Sequence, residues 1–164
     1  MMARSFILAA MALALAGGCQ TEAGNAAGET IGRHAESGLE IIPLEIREGG
    51  KVHRFKVEVA RSEDEQAKGL MYRQNLGPDE GMLFPFSPPR PASFWMKNTL
   101  IPLDLLFVRG DGSIARIADN AVPMSLEQIA VGEPVVAVLE LAGGRAAELG
   151  LTEAARVSWA GGPK

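Results

Sequence analysis

The chain has 164 residues, a formal net charge of −4 and a single cysteine. Its length fits one domain, its lack of any basic block excludes a typical nucleic-acid-binding protein, and one cysteine excludes an intramolecular disulfide. The two histidines, His34 and His53, stand apart from each other and from the cysteine, so no metal-ligand spacing is present. Phosphate-binding, dinucleotide-binding and serine-nucleophile motifs are also absent. We therefore predict no metal, no cofactor and no nucleic-acid partner.

Residues 1–18 are predicted to be a signal peptide. Arg4 precedes an uncharged run over residues 5–18, which is shorter than the ~20 apolar residues that a membrane span needs. The segment Leu15–Cys19 resembles the bacterial lipobox, in which the cysteine is lipidated and becomes the mature N-terminus, although that pattern prefers Leu where Ala16 stands. The alternative is ordinary secretion after Ala14–Ala16. Lipidation at Cys19 is favoured because it accounts for a thiol without a partner in an oxidising compartment.

Residues 19–38 are predicted to be a flexible linker after the lipidated cysteine. Residues 20–38 hold four glycines and one large aliphatic residue, Ile31, which is too little apolar surface to offset the entropy of ordering. Gln20 is not the aspartate that resembles an inner-membrane retention signal. The predicted location is therefore the periplasmic face of the outer membrane, with a soluble periplasmic protein as the alternative.

Residues 39–164 are predicted to form a single β-rich domain. Leu39–Ile46 and Phe55–Val59 alternate apolar and polar residues as half-buried strands do, with a turn at Glu48–Lys51. Ser62 and Glu65 have the spacing of a capping box, which predicts a short helix.

Shorter sequence patterns predict the remaining strands, turn and helix. Gly81–Phe86 is predicted to be an edge strand because it contains Pro85. Asp111-Gly112 predicts a hairpin turn, and Val135–Leu141 a strand that is buried on both faces. A helix of one or two turns within residues 143–150 and a strand over 155–159 follow. The resulting fold class is mainly β, a single antiparallel β-sandwich or barrel with two short helices.

The stretch FWMKNTLIPLD, Phe94–Asp104, concentrates polar and aromatic residues. If residues 93–98 and 103–109 are adjacent strands joined by a four-residue loop, Lys97 faces Asp104 as an ion pair. Alternation then places Trp95 on the same face. In the third strand, beyond the 111–112 turn, Ile117 would lie near Leu106 and Ala115 near Val108.

That face has two interpretations. It either has a purely structural role, with an ion pair that fixes the strand register, or forms the wall of a ligand-binding groove. In the second case Arg73, at the end of the first helix, adds a polar wall. The candidate ligand-binding residues are Trp95, Lys97, Asn98, Thr99, Asp104 and Arg73.

Several blocks of the sequence resemble one family, the bacterial and archaeal family catalogued as domain of unknown function 192. They cover roughly residues 40–160 and include Gly69, Met71 and Arg73, then Gly81–Phe84, Phe94–Asp104 and Val138–Leu141. The resemblance implies a β-sandwich of jelly-roll type and no established activity. One departure is Glu153-Ala154-Ala155, where the family often has Gly-Asp before its last strand.

Three functional hypotheses follow. The favoured one is a membrane-anchored binding or accessory module that holds an envelope glycan or peptide on the face of the 94–104 hairpin and on the neighbouring Pro-rich loop Ser87–Pro91. An enzyme acting on such a glycan or peptide is the second, but no catalytic residue is identified, because a Lys–Asp pair stabilises both charged forms and no activated nucleophile is apparent. A purely structural accessory lipoprotein is the third. The sequence leaves the oligomeric state open.

Overall fold

The computed structural model describes residues 30–163. The predicted signal peptide, Cys19 and the first part of the predicted linker lie outside the described residues. Within them the structure has two short helices, α1 (Glu63–Lys68) and α2 (Arg145–Leu149), and eight strands: β1 (Gly32–Arg33), β2 (Glu40–Glu48), β3 (Lys51–Val59), β4 (Glu80–Phe94), β5 (Leu103–Val108), β6 (Ile114–Ala121), β7 (Ile129–Ala142) and β8 (Arg156–Trp159). The predicted fold class, a mainly β single domain with two short helices, is confirmed. None of the helices between residues 30 and 163 is long and apolar enough to cross a membrane.

The strands form one curled sheet of mixed direction. Their order is β1-β2-β3-β4-β7-β5-β6, and β8 pairs with β2. The β3–β4 pair is parallel, whereas the other strand pairs of the described chain are antiparallel. A further bridge joins Ser113, just before β6, to Arg156 at the start of β8. Because β8 thus contacts both ends of the strand order, the sheet curls into a half-barrel.

The curled sheet is buried on both of its faces. One hydrophobic cluster fills the concave side and includes Leu44, Val57 and Leu139. A second cluster covers the outer face of β4, β7 and β5, where the segments after α1 and after β4 pack onto the sheet. Val138 belongs to the second cluster and its neighbour Leu139 to the first. The predicted burial of both faces of residues 135–141 is therefore confirmed.

The local signals in the sequence form the structures that they predict. The capping box is present, because the Ser62 hydroxyl accepts from the Glu65 amide while the Glu65 carboxylate accepts from the Ser62 amide. The Asp111-Gly112 turn joins β5 to β6, with Gly112 at φ 82°.

The register of the β5–β6 hairpin was predicted correctly at one end. Leu106 pairs with Ile117 as predicted, but Val108 pairs with Ile114 rather than Ala115. The cause is a register shift between Phe107 and Val108, near the turn.

Two predictions about β4 are wrong. Gly81–Leu83, the first half of the predicted edge strand, is not at an edge, since it pairs with both β3 and β7. Pro85 is tolerated because the ladder with β3 ends at Leu83, so no donor is required on that side. Nor is β4 adjacent to β5, because β7 pairs with both and separates them.

Part of the predicted linker is attached to the domain. β1 pairs with the start of β2, and the Ser37 hydroxyl donates a hydrogen bond to the buried Glu58 carboxylate. The structured part of the chain therefore begins before residue 39.

Candidate functional site

The candidate site is a pocket on the outer face of the sheet, which we call the Glu140 pocket. It has a volume of about 350 Å³ and lies between α1 with its following turn, β4, and the segment 95–99. Aromatic walls come from Phe84, Phe86, Phe94 and Trp95, and its polar groups from Gln66, Lys68, Arg90, Ser93, Lys97, Thr99 and Glu140.

A chain of aromatic contacts builds one side of the pocket. The ring of Phe94 meets that of Phe84 edge to face, with centroids 5.1 Å apart, and that of Phe107 at 6.3 Å. Such pairs favour a fixed ring orientation. Phe94 is thereby held at the end of β4, where the chain leaves the sheet and continues into Trp95.

Glu140 supplies the buried charge-bearing group of the pocket. It lies in the middle of β7, paired with Met82 on one side and Leu105 on the other, and is 5% exposed. Burial raises the pKa of its carboxyl group to about 8. No described side chain or backbone amide donates a hydrogen bond to this carboxyl group. Its oxygens are not among the solvent-inaccessible atoms without a partner, which in the described chain are His53 Nε2 and Arg145 Nε. They are therefore open to the pocket and free to bind a ligand.

Other buried carboxylates in the domain are paired, which sets Glu140 apart. Glu58 contacts Arg73 at 2.8 Å, and Asp104 accepts three backbone hydrogen bonds. A buried carboxyl group without such partners lowers stability.

The rim of the pocket is cationic. Lys97 Nζ lies 5.1 Å from the ring centroid of Trp95, and the Arg90 guanidinium lies 4.1 Å from that of Phe86. Lys68 at the end of α1 is the third cation. None of the three forms an ion pair with a carboxylate in residues 30–163. Trp95 as a residue is 48% exposed, so it presents an open aromatic surface beside these charges.

Three of the six predicted binding residues, Trp95, Lys97 and Thr99, line this pocket. The remaining three, Asn98, Asp104 and Arg73, do not. The predicted ion pair between Lys97 and Asp104 is wrong, because β7 separates β4 from β5 and Asp104 faces the concave side of the sheet.

Asp104 has a structural environment. Its carboxylate is fully buried and accepts hydrogen bonds from the backbone amides of Asn120 at 2.7 Å, Gly144 at 2.9 Å and Ala146 at 2.7 Å. It therefore joins β5 to the end of β6 and to the first turn of α2.

Asn98 shapes the turn next to the pocket. It has a positive φ of 56°, its carbonyl accepts from the Tyr72 amide at 2.8 Å, and its side-chain amide contacts the Met71 sulfur at 3.7 Å. These contacts hold the 96–99 turn against the segment that follows α1.

Arg73 lies in a separate depression of about 210 Å³. Besides Glu58 it contacts Glu36 at 3.4 Å and a ring nitrogen of His34 at 3.2 Å. Arg73 therefore attaches residues 34–37 to the domain.

Sequence reasoning missed Glu140 and Lys68, and it included Arg90 only as a member of the Pro-rich loop Ser87–Pro91. The signal for Glu140 was available, because a carboxylate in a strand predicted to be buried on both faces needs either a partner or a function. Lys68 carries no such signal, since an isolated basic residue is typical of a solvated surface.

A wider depression of about 800 Å³ adjoins the Glu140 pocket and shares Phe86 and Arg90 with it. Its charged residues, Arg61, Glu63 and Arg90, are all exposed. We favour the smaller pocket because it contains a buried group without a partner. In the portion of the chain from residue 30 to 163, no group of three or more His, Cys, Asp or Glu side chains has the arrangement of a metal site.

Comparison with known proteins identifies the family but no activity. A crystal structure of a protein of unknown function from Novosphingobium aromaticivorans DSM 12444 is similar with a TM-score of 0.77 and 45% identity, over 82% of this chain and 95% of that one. A protein from Sinorhizobium meliloti 1021 called a "putative transcription regulator" matches with a TM-score of 0.69 and 43% identity, over 71% of this chain and 91% of that one. No curated protein matches the chain. Residues 44–159 match the family DUF192, described as Uncharacterized ACR, COG1430, and the chain belongs to that family.

Proposed function

We propose that this protein is an exported, membrane-anchored binding module that holds an envelope ligand, a glycan or a peptide, in the Glu140 pocket. The observation that carries the proposal is the Glu140 carboxyl group, which lies 5% exposed in a pocket without a described hydrogen-bond partner. Keeping such a group costs stability, and a bound ligand with hydrogen-bonding groups would offset that cost. The half-exposed Trp95 provides apolar contact area next to it.

Export and anchoring rest on the first 19 residues. The uncharged run after Arg4 has the length of a signal-peptide core, and Cys19 follows small residues as a lipidated cysteine does. The proposed place is the periplasmic face of the outer membrane, and we propose no nucleic-acid partner because the chain is acidic, with a net charge of −4.

Binding is favoured over catalysis by the composition of the pocket. Hydrolysis of a glycosidic bond normally uses two carboxyl groups, about 5–9.5 Å apart, and the described residues that line the pocket include one, Glu140. Ser93 and Thr99 are the hydroxyl groups of the lining, and no described histidine lines it to act as their base.

The test compares ligand capture by three purified proteins. The parent, Glu140→Leu and Glu153→Gln are titrated with soluble peptidoglycan fragments while backbone amide resonances are followed by NMR. Glu153 is an exposed residue outside the pocket and serves as the matched control. We expect Glu140→Leu to lose capture by at least about tenfold, since its hydrogen bonds to the ligand are lost, while its melting temperature is equal to or above that of the parent. Unchanged capture by Glu140→Leu, or no shift of any pocket resonance in the parent, contradicts the proposal.

A further inference from the structure

The charges around the Glu140 pocket have the opposite sign to the protein as a whole. The chain carries a formal net charge of −4, whereas the pocket has three cationic side chains, Lys68, Arg90 and Lys97, and one carboxyl group. Several cations of the domain, such as Arg109 and Arg145, pair with carboxylates at 2.8 Å, whereas others outside the pocket, such as Lys51 and Arg116, pair with no carboxylate in residues 30–163. The three pocket cations have no such partner within the described part of the chain. A concave surface lined by unpaired cations attracts anions.

Aromatic contacts position two of these cations before any ligand arrives. The Arg90 guanidinium lies over the face of Phe86 at 4.1 Å, which leaves the N–H groups along the guanidinium edge free to bind an anion. Lys97 lies over Trp95 at 5.1 Å, so its ammonium group is next to the exposed indole. Because these contacts favour one placement of each side chain, less conformational entropy is lost when an anionic group binds.

The groups below the rim suit a saccharide. A carboxyl group inside a pocket can exchange several hydrogen bonds with the hydroxyl groups of a sugar, and the half-exposed indole of Trp95 can pack against the C–H face of a sugar ring. The volume of about 350 Å³ lies at the lower end of the range for small-molecule sites, about 300–1,000 Å³.

A peptide added as an extra strand fits less well. Beyond Leu83, β4 has no partner on the side of β3, so it offers a free edge next to the pocket. This edge contains Pro85, Pro88, Pro89 and Pro91, which have no backbone N–H to donate. Strand addition depends on such main-chain hydrogen bonds.

We propose that the ligand of the Glu140 pocket is an acidic saccharide, a sugar unit that bears a carboxylate. Its ring packs on Trp95, its hydroxyl groups bond to Glu140, and its carboxylate lies at the rim beside Lys97 and Arg90. This inference rests on the proposed function, because it specifies the ligand of the same pocket.

The test uses the full chain in mild detergent and two matched pairs of sugars. N-acetylmuramic acid is compared with N-acetylglucosamine, and methyl glucuronide with methyl glucoside, by NMR titration. N-acetylmuramic acid differs from N-acetylglucosamine by a lactyl ether that carries the carboxylate, and methyl glucuronide differs from methyl glucoside by a carboxylate in place of the hydroxymethyl group. We expect each acid to bind about tenfold more tightly than its neutral partner, and the preference to shrink as salt is raised from about 50 mM to about 500 mM.

Two lysine variants locate the origin of that preference. Lys97→Met keeps the apolar stem over Trp95 and removes the charge, so we expect most of the preference for the acid to disappear while binding of the neutral sugar persists. Lys51→Met, which changes an exposed residue at the start of β3 outside the pocket, is the control and should bind both sugars as the parent does.

The alternative outcomes separate this inference from the proposed function. Equal binding of acid and neutral sugar overturns the acidic ligand and leaves a binding pocket in place. Binding of peptidoglycan stem peptides with no response to any of the four sugars overturns the saccharide class. If neither sugars nor peptides shift the resonances of the pocket, the proposed function fails as well.

Discussion

The Asp104 carboxylate accepts a hydrogen bond of 2.7 Å from the backbone amide of Ala146, 42 residues further along the chain. The same carboxylate also binds the amides of Asn120 and Gly144. One side chain therefore satisfies the donors of three backbone positions where β5, the end of β6 and the start of α2 meet.

Removing this carboxylate should destabilise the domain strongly. We expect Asp104→Ala to lower the free energy of unfolding by about 3–5 kcal/mol, because three amides lose their acceptor in a buried place. Asp111→Ala is the control, since Asp111 lies in an exposed turn and bonds only to Ser113, and it should cost about 1 kcal/mol. Urea unfolding of both variants measures the difference. Equal and small losses would show that Asp104 is not the buried acceptor described above.

The pH dependence of stability should show the buried Glu140. The folded protein keeps the carboxyl proton up to about pH 8, whereas the unfolded chain releases it near pH 4.5. The folded state thus binds more protons in this window, so the free energy of unfolding should fall as pH rises, by at most about 1.4 kcal/mol per pH unit.

Glu140→Gln cannot titrate and removes that slope. We compare the unfolding free energies of the variant and the parent between about pH 5 and pH 8. The difference should grow steadily with pH in favour of the variant. A difference that stays constant over this range contradicts the raised pKa.

Trp95→Ala should change stability little for so large a side chain. With 48% of the residue exposed, we expect a loss of about 1 kcal/mol. Phe107→Ala is the comparison, because Phe107 is fully buried in the cluster on the outer face of the sheet, and it should cost about 3–5 kcal/mol. Thermal melts rank the two. A loss for Trp95→Ala as large as that for Phe107→Ala would assign Trp95 to the core.

Breaking the ion pair between Arg73 and Glu58 tests how residues 34–37 are attached to the domain. Their side chains are 10% and 5% exposed and lie 2.8 Å apart, so Arg73→Met removes the cationic partner of a buried carboxylate, which keeps its hydrogen bond from Ser37, and should cost up to about 3–5 kcal/mol. Arg61→Met breaks the pair with Glu40, in which the side chains are 59% and 30% exposed, and should cost under about 1 kcal/mol. Chemical denaturation of both variants provides the comparison, and equal costs would disprove the buried character of the first pair.

Membrane anchoring through Cys19 can be tested in cells. If Cys19 is lipidated, Cys19→Ala should move the protein from the membrane fraction to the soluble fraction, because the acyl chains are its means of attachment. Detergent-free fractionation of cells, with an unrelated lipoprotein as the marker, reads the outcome. A variant that stays in the membrane fraction rules out lipidation at Cys19 as the anchor.

The sequence predicted those parts of the fold whose cause is local. Ser62 and Glu65 lie three residues apart, and Asp111-Gly112 are adjacent, so the residues that form each structure are neighbours in the chain. The order of strands in the sheet has no such local cause. β7, which begins only at Ile129, lies between β4 and β5 in the sheet, and no pattern within residues 93–109 indicates this arrangement.

The dependence on local sequence also explains which residues of the site were predicted correctly. Trp95, Lys97 and Thr99 belong to one short segment, and their mixture of aromatic and polar character was visible there. Glu140 joins them only because β7 packs against β4, with Glu140 paired to Met82. Asp104 was assigned to the site for the converse reason, since its partners Asn120, Gly144 and Ala146 lie far along the chain.

The pairing of β8 with β2 has a consequence for biosynthesis. Leu44 to Arg47 pair with Trp159 to Arg156, so the concave side of the sheet cannot close until residues 156–159 have left the ribosome. Contacts between such distant parts of a chain form slowly. If the chain is exported as proposed, this delay is useful, because a translocation channel that accepts unfolded polypeptide can take up the N-terminal region before the domain has folded. In that case β8, the strand that closes the half-barrel, also sets the earliest moment at which the protein becomes too compact to be exported.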